Sequence, residues 1–424
     1  MKSSELKYQN YIKILEEELI PAMGCTEPIA IAYAAAKARE VLGYIPEKVI
    51  VEVSGNIIKN IKSVIVPNTN KLRGIEAATA AGIVAGKAEM KLEVISDVSE
   101  EKKKAIKEYI NYCPIEVQLA DTPFIFDIHM KLFYKDSFVK VRIANYHTNI
   151  VLIEKNGKIL YQKEVNASKE EGLCDKKLLN VEDIIDFANS VEINDIATII
   201  ERQIQYNSRI AEEGLKNNYG ANIGNVLLST YGSDIKVRAK AKAAAGSDAR
   251  MNGCELPVII ISGSGNQGIA ASIPVIEYAK ELNVSKEKLY RALVVSNLVT
   301  IHQKTGIGRL SAYCGAISAG TGSGAGIAYL HCGEYKDISH TIVNALSIAS
   351  GIVCDGAKAS CAAKIAAGVD AGIFGYYMYK NGQQFRSGDG IVKKGVEATI
   401  ANIGKLAKDG MKETDKEIIK LMIE

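Results

Sequence analysis

The sequence RLSAYCGAISAGTGSGAGIAYLHCG, residues 309–333, is followed after a short charged break by TIVNALSIASGIVCDGAKASC, residues 341–361. Glycine, alanine and serine dominate both parts, and large apolar side chains are few. Small residues let backbones approach closely, so this stretch predicts tightly packed, buried helices at the centre of the fold. Residues 310–330 carry no charge and are long enough to cross a membrane. Their small, partly polar side chains instead favour a buried helix, and we expect no contact with a membrane.

Three cysteines of this stretch, Cys314, Cys354 and Cys361, stand among small residues. The last two are seven residues apart (361 − 354 = 7), which places both sulfurs on one face if that segment is helical. Cys314 is far enough away to come from a neighbouring helix. Three thiolates in this arrangement could hold a 4Fe–4S cluster and leave one iron open to a ligand. The alternative is that they fill space in the core, since cysteine is among the residues most often buried.

Length and composition indicate a globular protein of two or three domains, because the chain has 424 residues. The formal net charge is +3 with both signs interspersed, which gives no basis for binding nucleic acid or an anionic membrane. Eight cysteines stand at irregular spacings, and the charged amphipathic N-terminus has no apolar signal core. We therefore expect a cytoplasmic protein with reduced thiols rather than a disulfide framework.

The pattern of apolar residues changes from helical to strand-like and back to helical along the chain, which predicts an α+β fold. We expect a mainly all-α helical catalytic domain with an inserted α+β domain. Residues 1–45 are expected to be N-terminal helices that pack on the helical domain. Residues 46–165 are expected to form the inserted α+β domain, and residues 166–424 the all-α domain that carries the three cysteines.

The patterns also predict individual elements. The alternating, β-branched runs KVIVEVSGNIIKNIKSVIVP (48–67) and KLEVISDVS (91–99) predict strands. Asn156-Gly157 predicts a two-residue hairpin turn between two further strands. Apolar periodicity predicts helices at 4–20, 74–87, 99–112, 181–217, 221–246, 268–282, 285–301, 310–330, 338–352, 356–368 and 391–423.

Cys25 stands directly before another predicted helix, in MGCTEPIAIAYAAAKAREVLG (23–43). Thr26 is suited to the N-cap of that helix, with Glu27 and Pro28 in its first turn. The dipole at a helix N-terminus stabilises a thiolate, so Cys25 is the cysteine for which the sequence predicts reactivity. The alternative is an inert thiol buried in a turn.

Two turns rich in glycine and short polar residues are candidate binding sites. SGSGNQGI (262–269) follows the apolar run LPVIII and leads into a helix, whose N-terminus is suited to bind an anion. It has neither the Lys-Ser/Thr of a Walker loop nor the full spacing of a dinucleotide fingerprint, so a carboxylate or a small polar substrate is favoured. VSGN (53–56) is similar, with an ordinary strand-ending turn as the alternative.

His302 lies twelve residues before Cys314 (314 − 302 = 12) and could relay protons near a cluster. A buried structural histidine is the alternative. No lysine stands in a context typical of a pyridoxal-phosphate Schiff base. Chemistry at an amino acid would then need another electron sink, and an open iron site supplies a Lewis acid.

Five of these motifs together resemble the L-cysteine desulfidase family, which is related to the α-chain of bacterial iron–sulfur L-serine dehydratases. They are MGCTEP, SGN, GSGNQG, GRLSAYCGA and CDGAKASC, and the likeness covers nearly the whole chain. The resemblance implies an oxygen-sensitive enzyme that holds one 4Fe–4S cluster per chain and needs no pyridoxal phosphate. Such an enzyme converts L-cysteine to hydrogen sulfide, ammonia and pyruvate. The resemblance further implies that Cys314, Cys354 and Cys361 are the cluster ligands and that Cys25 is the catalytic base.

The implied reaction is a β-elimination in which the open iron binds the thiolate of the substrate, its carboxylate or both, while Cys25 removes the α-proton. A thiol is far more acidic than that α-proton, so the iron must acidify the carbon or a second group must help. Glu27 and His302 are the alternatives for that group. The two turns are expected to hold the carboxylate and amine of the substrate through Ser54, Asn56, Gly263, Ser264, Gly265, Asn266 and Gln267. The resting ligand of the fourth iron is left open between Cys25, water and a small molecule.

Three other functions stay open. L-serine dehydration by the same mechanism is the nearest, although Cys25 in place of the dehydratase pattern favours sulfur. A non-catalytic iron–sulfur sensor is the second, and the low net charge and the absence of a nucleic-acid motif count against it. The third is an all-α structural protein with buried cysteines and no metal. A homodimer is the expected state of an enzyme of this kind, with L-cysteine as its small-molecule partner.

Overall fold

A computed structural model describes residues 1–2, 5–167, 174–331 and 333–423 of the protein. The helices are α1 (Leu6–Glu18), α2 (Thr26–Leu42), α3 (Gly55–Ile61), α4 (Gly74–Ala85), α5 (Glu100–Tyr112), α6 (Val181–Ser190), α7 (Ile193–Lys216), α8 (Ile223–Tyr231), α9 (Ile235–Met251), α10 (Gly265–Glu281), α11 (Lys286–Ile307), α12 (Gly315–His331), α13 (Tyr335–Ala349), α14 (Cys361–Lys380), α15 (Val396–Lys405) and α16 (Lys412–Ile423). The strands are β1 (Pro21–Met23), β2 (Lys48–Val53), β3 (Ile115–Leu119), β4 (Asp127–Tyr134), β5 (Ser137–Ala144), β6 (Ile150–Lys155), β7 (Lys158–Gln162) and β8 (Pro257–Ile259).

The larger sheet is mixed and has the strand order β3-β2-β4-β5-β6-β7. β2 and β3 are parallel, and the other neighbouring pairs are antiparallel. Val49, Val51 and Val53 of β2 are fully buried, as expected for alternate residues that face a core. Asn156 and Gly157 join β6 to β7 with φ angles of 51° and 81°, which fit a type I′ turn. The predicted hairpin and the predicted α+β class are thereby confirmed.

The two N-terminal helices pack on different layers. α2 lies on the larger sheet, where it contacts β4, β5 and α4. α2 and α4 cross so closely that a side chain at Gly82 would overlap the backbone of Ala32. α1 instead packs on the helical layer, where the rings of Tyr8 and Tyr11 lie edge-on to Phe187 of α6. The division into three domains stays a prediction.

The helical layer is built around α12, which contacts α10, α11, α13 and α14. Residues 316–330 of α12 are all buried. Gly320 and Gly324 approach Gly368 and Gly372 of α14 so closely that a side chain at any of these positions would overlap the opposite backbone. The predicted close packing of small residues is confirmed. No helix in the described parts of the chain is long and apolar enough to cross a membrane.

Two segments predicted as strands are wrong in whole or in part. Residues 55–61 form α3, because Ile57 and Ile61, four residues apart, are both fully buried, as on one face of a helix. Residues 91–99 contain the end of a 3₁₀ turn followed by turns and bends. There the neighbours Val94 and Ile95 are both buried, which the alternation of a half-buried strand does not allow. Both strands were predicted from the content of β-branched residues, although the spacing of the buried apolar residues did not fit a strand.

Several predicted helices have different bounds. The segment 181–217 is divided into α6 and α7, and the segment 221–246 into α8 and α9. The second division has a local cause: Gly232 has a φ of 81°, and the Asp234 side chain then caps α9 by accepting a hydrogen bond from Val237 N. The predicted helices 310–330 and 356–368 begin later, with α12 and α14. Cys314 therefore lies in the loop before α12, and Cys361 is the first residue of α14.

Candidate active site

Four cysteines, Cys25, Cys314, Cys354 and Cys361, line one cavity. Its empty space, including the open solvent at its mouth, is about 780 Å³. The walls come from the beginnings of α2, α10, α12 and α14, the end of α9, and the loops that precede α12 and α14. Residues far apart in sequence therefore bring their thiols to one place.

The loops before α12 and α14 are joined by a short antiparallel bridge, Tyr313 to Val353. Cys314 N donates to Ile352 O at 3.1 Å, and Cys354 N donates to Ala312 O at 2.6 Å. Cys354 thus lies in a loop, and Cys361 is the first residue of α14. The condition for Cys354 and Cys361 to share one face of a helix is not met, because the backbone between them is not helical.

Cys314, Cys354 and Cys361 are the thiols that would hold the 4Fe–4S cluster implied by the resemblance. Within the described residues, no group of three or more His, Cys, Asp or Glu side chains is arranged to hold a single metal ion. A cubane cluster requires a wider arrangement, because each thiolate binds a different iron. Burial raises the pKa of the Cys314 thiol to about 12, and the neighbouring Cys354 and Cys361 raise it as well. Three buried thiolates need positive charge beside them, which a bound cluster would supply, so the donor set fits an iron–sulfur cluster.

The loop that carries Cys354 is held against α3. Gly356 has a φ of 91°, and a side chain there would overlap the carbonyl of Lys59. The Lys59 ammonium lies 3.5 Å from Cys354 O and forms an ion pair with Asp415 of α16. Because the Lys59 side chain is only 1% exposed, this ion pair neutralises a buried charge. The C-terminal helix therefore contacts the cysteine loop through Lys59.

Cys25, Glu27 and His147 form a row of buried polar groups on the cavity wall. Cys25 Sγ donates to Glu27 Oε2 at 3.0 Å, and Thr26 Oγ1 lies 3.2 Å from the same oxygen. The other oxygen, Oε1, is 3.7 Å from His147 Nε2. Burial acts to raise the pKa of Glu27, but His147 and the hydrogen bond from Cys25 hold this pKa at about 2. Glu27 is therefore an ionised carboxylate that accepts the thiol hydrogen.

The protonation state of Cys25 differs from the expectation. Cys25 does stand directly before α2, where it occupies the N-cap position predicted for Thr26. Full burial raises the pKa of its thiol well above the ordinary value, and the negative charge of Glu27 raises it further. The loss of hydration outweighs the helix dipole, so Cys25 is a protonated thiol at neutral pH.

The turn at residues 262–264 precedes α10 in the chain and is hydrogen-bonded to the first residue of α2. Thr26 Oγ1 donates to Gly263 O at 2.7 Å. Ser262 and Gly263 have φ angles of 48° and 79°, left-handed values that glycine adopts without strain. The helix predicted after this turn is confirmed as α10. Gln267, in the first turn of α10, packs against Gly315: a Cβ added to Gly315 would lie 2.7 Å from the Gln267 amide carbon.

Of the residues predicted to bind substrate, Gly263, Ser264, Asn266 and Gln267 line the cavity, whereas Gly265 packs against Arg250 behind it. Ser54 and Asn56 do not line it. Ser54 Oγ donates to Ile125 O at 2.7 Å, and Asn56 Nδ2 donates to Asp415 Oδ2 at 2.9 Å. The VSGN segment caps and begins α3, so its polar groups serve local structure here. Asn60, one turn further along α3, does reach the cavity.

His302 also lies outside the cavity. Its Nε2 atom is 2.7 Å from Glu397 Oε2 of α15, and Glu397 Oε1 accepts a hydrogen bond from Val181 N at 2.7 Å. His302 thereby joins α11 to α15 and to the start of α6. Its catalytic role stays a prediction, and the structure offers no contact between it and the four cysteines.

Sequence reasoning missed His147 and Arg250. His147 lies in the turn between β5 and β6 and packs edge-on to Phe126, with ring centroids 4.7 Å apart. No spacing in the sequence connects it with Glu27. Arg250 is 2% exposed and lines the cavity from the end of α9. A signal for Arg250 was present, because it stands in AKAAAGSDARM, a helix segment otherwise rich in small residues.

Comparison with known proteins identifies relatives of this chain. A family model described as serine dehydratase alpha chain matches residues 89–420. The chain is 66% identical over 423 residues to a UPF0597 protein of Desulfitobacterium hafniense, an alignment that covers 100% of this chain and 98% of the relative. It is 52% identical over 416 residues to a UPF0597 protein of Lachnoclostridium phytofermentans, with 98% of this chain and 100% of the relative covered. A UPF0597 protein of Treponema denticola is 48% identical over 432 residues, with both chains fully covered.

Proposed function

The chain belongs to the serine dehydratase alpha-chain family, and on that premise we propose that it is an iron–sulfur L-cysteine desulfidase. Enzymes of this family are lyases of the dehydratase type and are generally iron–sulfur dependent. In the proposed reaction L-cysteine loses hydrogen sulfide to give 2-aminoacrylate. The tautomer of 2-aminoacrylate then reacts with water to give pyruvate and ammonia.

The observation that carries this proposal is the position of Cys25 in the same cavity as Cys314, Cys354 and Cys361. Cys25 packs with Val64 and Met251, and Cys361 packs against the same small cluster. Soft sulfur ligands favour soft metal centres, and a thiolate substrate is itself a soft ligand. A cavity of this kind suits a substrate whose leaving group is sulfur.

Cys314, Cys354 and Cys361 would hold the cluster. A 4Fe–4S cluster with an open iron supplies, when bound, a Lewis acid that polarises the bond between the substrate's Cβ and its sulfur. The other steps of the elimination are proton transfers, which side chains of this protein carry out.

Cys25 and Glu27 provide the base. The thiol proton passes from Cys25 Sγ to Glu27 Oε2 along the existing 3.0 Å hydrogen bond. This transfer is uphill and forms part of the reaction barrier, because burial raises the pKa of the thiol whereas that of Glu27 is held at about 2. The resulting thiolate removes the α-proton of the substrate, and the electrons of the broken C–H bond form the double bond between Cα and Cβ. The electrons of the Cβ–S bond leave with sulfur, which takes up a proton and departs as hydrogen sulfide. Burial that raises the pKa of the thiol also makes its thiolate a stronger base.

His147 assists by position. Its Nε2 lies 3.7 Å from Glu27 Oε1, on the side of the carboxylate away from Cys25. This contact keeps Glu27 ionised and directs Oε2 toward the thiol. Glu27 is thus the group that helps Cys25 in the proposal, and His302 has no part in it.

L-serine dehydration is the second candidate, because the matching family model describes serine dehydratases. The same proton transfers would apply, with hydroxide in place of hydrosulfide as leaving group. The two substrates are separated by their products, since only L-cysteine yields sulfide.

The test is turnover by anaerobically prepared, iron-loaded protein. Sulfide and pyruvate are measured with L-cysteine for the wild type and for Cys25→Ser, with Cys174→Ser as the matched control outside the cavity. We expect sulfide from the wild type and the control, and a loss of about a hundredfold or more in the Cys25 variant with iron content unchanged. Equal turnover by Cys25→Ser would contradict the base assignment, and an iron-loaded wild type that releases no sulfide would contradict the reaction.

A further inference from the structure

Arg250 carries a buried charge without a described counter-charge. Its side chain ends α9, is 2% exposed and lines the cavity. Nη1 donates to Asn266 Oδ1 at 3.1 Å, and Nε has no hydrogen-bond partner. No carboxylate is among the contacts that the described residues make with this guanidinium. Buried arginines are normally paired, because the loss of hydration must be offset by an anion.

Another arginine on the same wall shows the usual arrangement. Arg309 Nη2 donates to Glu18 Oε1 at 2.9 Å, and the side chain of Glu18 is only 2% exposed. Arg309 is therefore neutralised within the chain. Arg250 differs in that a neutral amide, Asn266, is its described acceptor. The counter-charge of Arg250 is expected to come from a ligand.

The N-terminus of α10 converges on the same place. Its first turn, which includes Gly265, Asn266 and Gln267, has backbone N–H groups without intrahelical acceptors, as in every helix start. Such N–H groups together with the helix dipole favour an anion. The first turn of α10 contains no acidic side chain that would occupy this position. A cationic side chain and a helix N-terminus therefore face one region of the cavity.

Two glycines make this approach possible. A side chain at Gly265 would overlap Arg250 Nε, so glycine lets the guanidinium lie directly on the turn. A Cβ at Gly263 would lie 2.7 Å from His147 Cε1, so the His147 ring also lies against the turn. The two glycines thus let Arg250 and His147 pack directly on the backbone of the turn.

Gln267 supplies the opposite polarity. Its Oε1 atom is buried without a hydrogen-bond partner, and its side chain lines the cavity. An amide oxygen accepts hydrogen bonds and suits an ammonium group. An α-amino acid carries a carboxylate and an ammonium group a short distance apart, so it would satisfy Arg250 and Gln267 together.

We infer that Arg250 binds the α-carboxylate of the substrate and that Gln267 Oε1 accepts a hydrogen bond from its ammonium group. The inference deepens the proposed function: its link to the reaction depends on that function, whereas the binding of an amino acid does not. It assigns the two charged groups of the amino acid to side chains of the protein. Arg250 also lies within electrostatic reach of Cys25, since its charge acts to lower the pKa of that thiol. A carboxylate on Arg250 would therefore place the α-carbon near the proposed base.

The inference is tested by binding, so turnover is not required. L-alanine carries both charged groups but no leaving group, and L-alaninamide lacks the carboxylate. Their affinities for anaerobic, iron-loaded protein are measured by calorimetry with wild type, Arg250→Gln and Arg250→Lys. Arg238→Gln is the matched control, because Arg238 lies on the same helix and forms an exposed ion pair with Glu281.

We expect wild type and Arg238→Gln to bind L-alanine equally and to bind L-alaninamide at least about tenfold more weakly. Arg250→Gln should lose at least about tenfold in affinity for L-alanine, and Arg250→Lys should fall between, because lysine keeps the charge but not the fork geometry. Equal binding of L-alanine and L-alaninamide by the wild type would overturn the inference. So would undiminished L-alanine binding by folded Arg250→Gln, and the wild-type comparison stands even if that variant does not fold.

The same preparation separates this inference from the proposed function. Binding of L-alanine that depends on Arg250, with no sulfide from L-cysteine, would support the carboxylate site and contradict the desulfidase reaction. Sulfide release with L-alanine binding that does not depend on Arg250 would support the reaction and overturn the inference.

Discussion

Cys25 and Glu27 are joined by a hydrogen bond from Sγ to Oε2, 3.0 Å long, in the first turn of α2. Both residues are buried on the wall of the four-cysteine cavity. The thiol is the donor and the carboxylate the acceptor, so the proton that must leave Cys25 already points at its acceptor. This relationship makes Glu27 the residue whose replacement tests the proposed base most selectively.

Glu27→Gln is expected to lower kcat for sulfide release by about a hundredfold, because glutamine cannot take the proton from Cys25. Iron content and the unfolding midpoint should change much less than kcat. Glu40→Gln is the matched control, since Glu40 lies on the same helix in an exposed pair with Lys37. A wild-type kcat in Glu27→Gln would show that the thiol proton leaves by another route.

Gly356→Ala is expected to reduce iron loading. The residue has a φ of 91°, and an added methyl would overlap the carbonyl of Lys59, so the loop between Cys354 and Cys361 must move. The cost in free energy of unfolding should be about 2 kcal/mol or more. Gly351→Ala is the control, because an added Cβ there meets no atom within 4 Å. Iron content per chain and thermal unfolding are the measurements, and equal iron content in both variants would contradict the expectation.

Asp127 is expected to make the fold sensitive to acid. Burial acts to raise the pKa of Asp127, but His129 and Arg142 hold it at about 2, below its ordinary value of 3.8. Because the folded pKa is the lower one, this stabilisation is complete above pH 3.8 and is lost as the pH falls toward 2. Asp127→Asn leaves Arg142 without its two-pronged partner and should cost about 3 kcal/mol at neutral pH.

The measurement for Asp127 is denaturant unfolding between pH 7 and pH 2. The stability difference between wild type and Asp127→Asn should be largest at neutral pH and should shrink below pH 3.8. Asp136→Asn, in the exposed turn between β4 and β5, is the control and should show no such pH dependence. A difference that stays constant with pH would contradict the assignment.

Asp415→Ala is expected to release α16 from α3. Lys59 would be left buried and without its carboxylate, which costs about 3 kcal/mol. Amide hydrogen exchange in α16 and α3 should then be at least about tenfold faster. Glu413→Ala is the control on the same helix, because Glu413 forms an exposed pair with Lys416. Unchanged exchange in Asp415→Ala would mean that the Lys59 ion pair does not hold the C-terminal helix.

The elements that the sequence predicts well are those whose signal is local. The Asn156-Gly157 turn and the helix that follows Cys25 each depend on residues adjacent in the chain. The segment at 55–61 was mistaken for a strand because its isoleucines suit both structures, and tertiary burial at a spacing of four decided between them. Local composition alone cannot supply that information.

Those residues of the candidate site that have distinctive neighbours in the sequence were predictable. Cys314, Cys354 and Cys361 stand among small residues, and the structure brings all three to the cavity with Cys25. The pKa of Cys25 was not predictable, because the helix dipole is visible in the sequence whereas complete burial is not. His147 was missed for the same reason, since it meets Glu27 only through the folding of the larger sheet.

The most direct measurement of the central claim is a competition at equal concentrations of L-cysteine and L-serine, with anaerobic, iron-loaded protein. Sulfide and pyruvate are counted in the same sample. The proposed desulfidase releases one sulfide for each pyruvate, because only L-cysteine is consumed. Pyruvate formed without sulfide would contradict the account and would identify L-serine as the substrate.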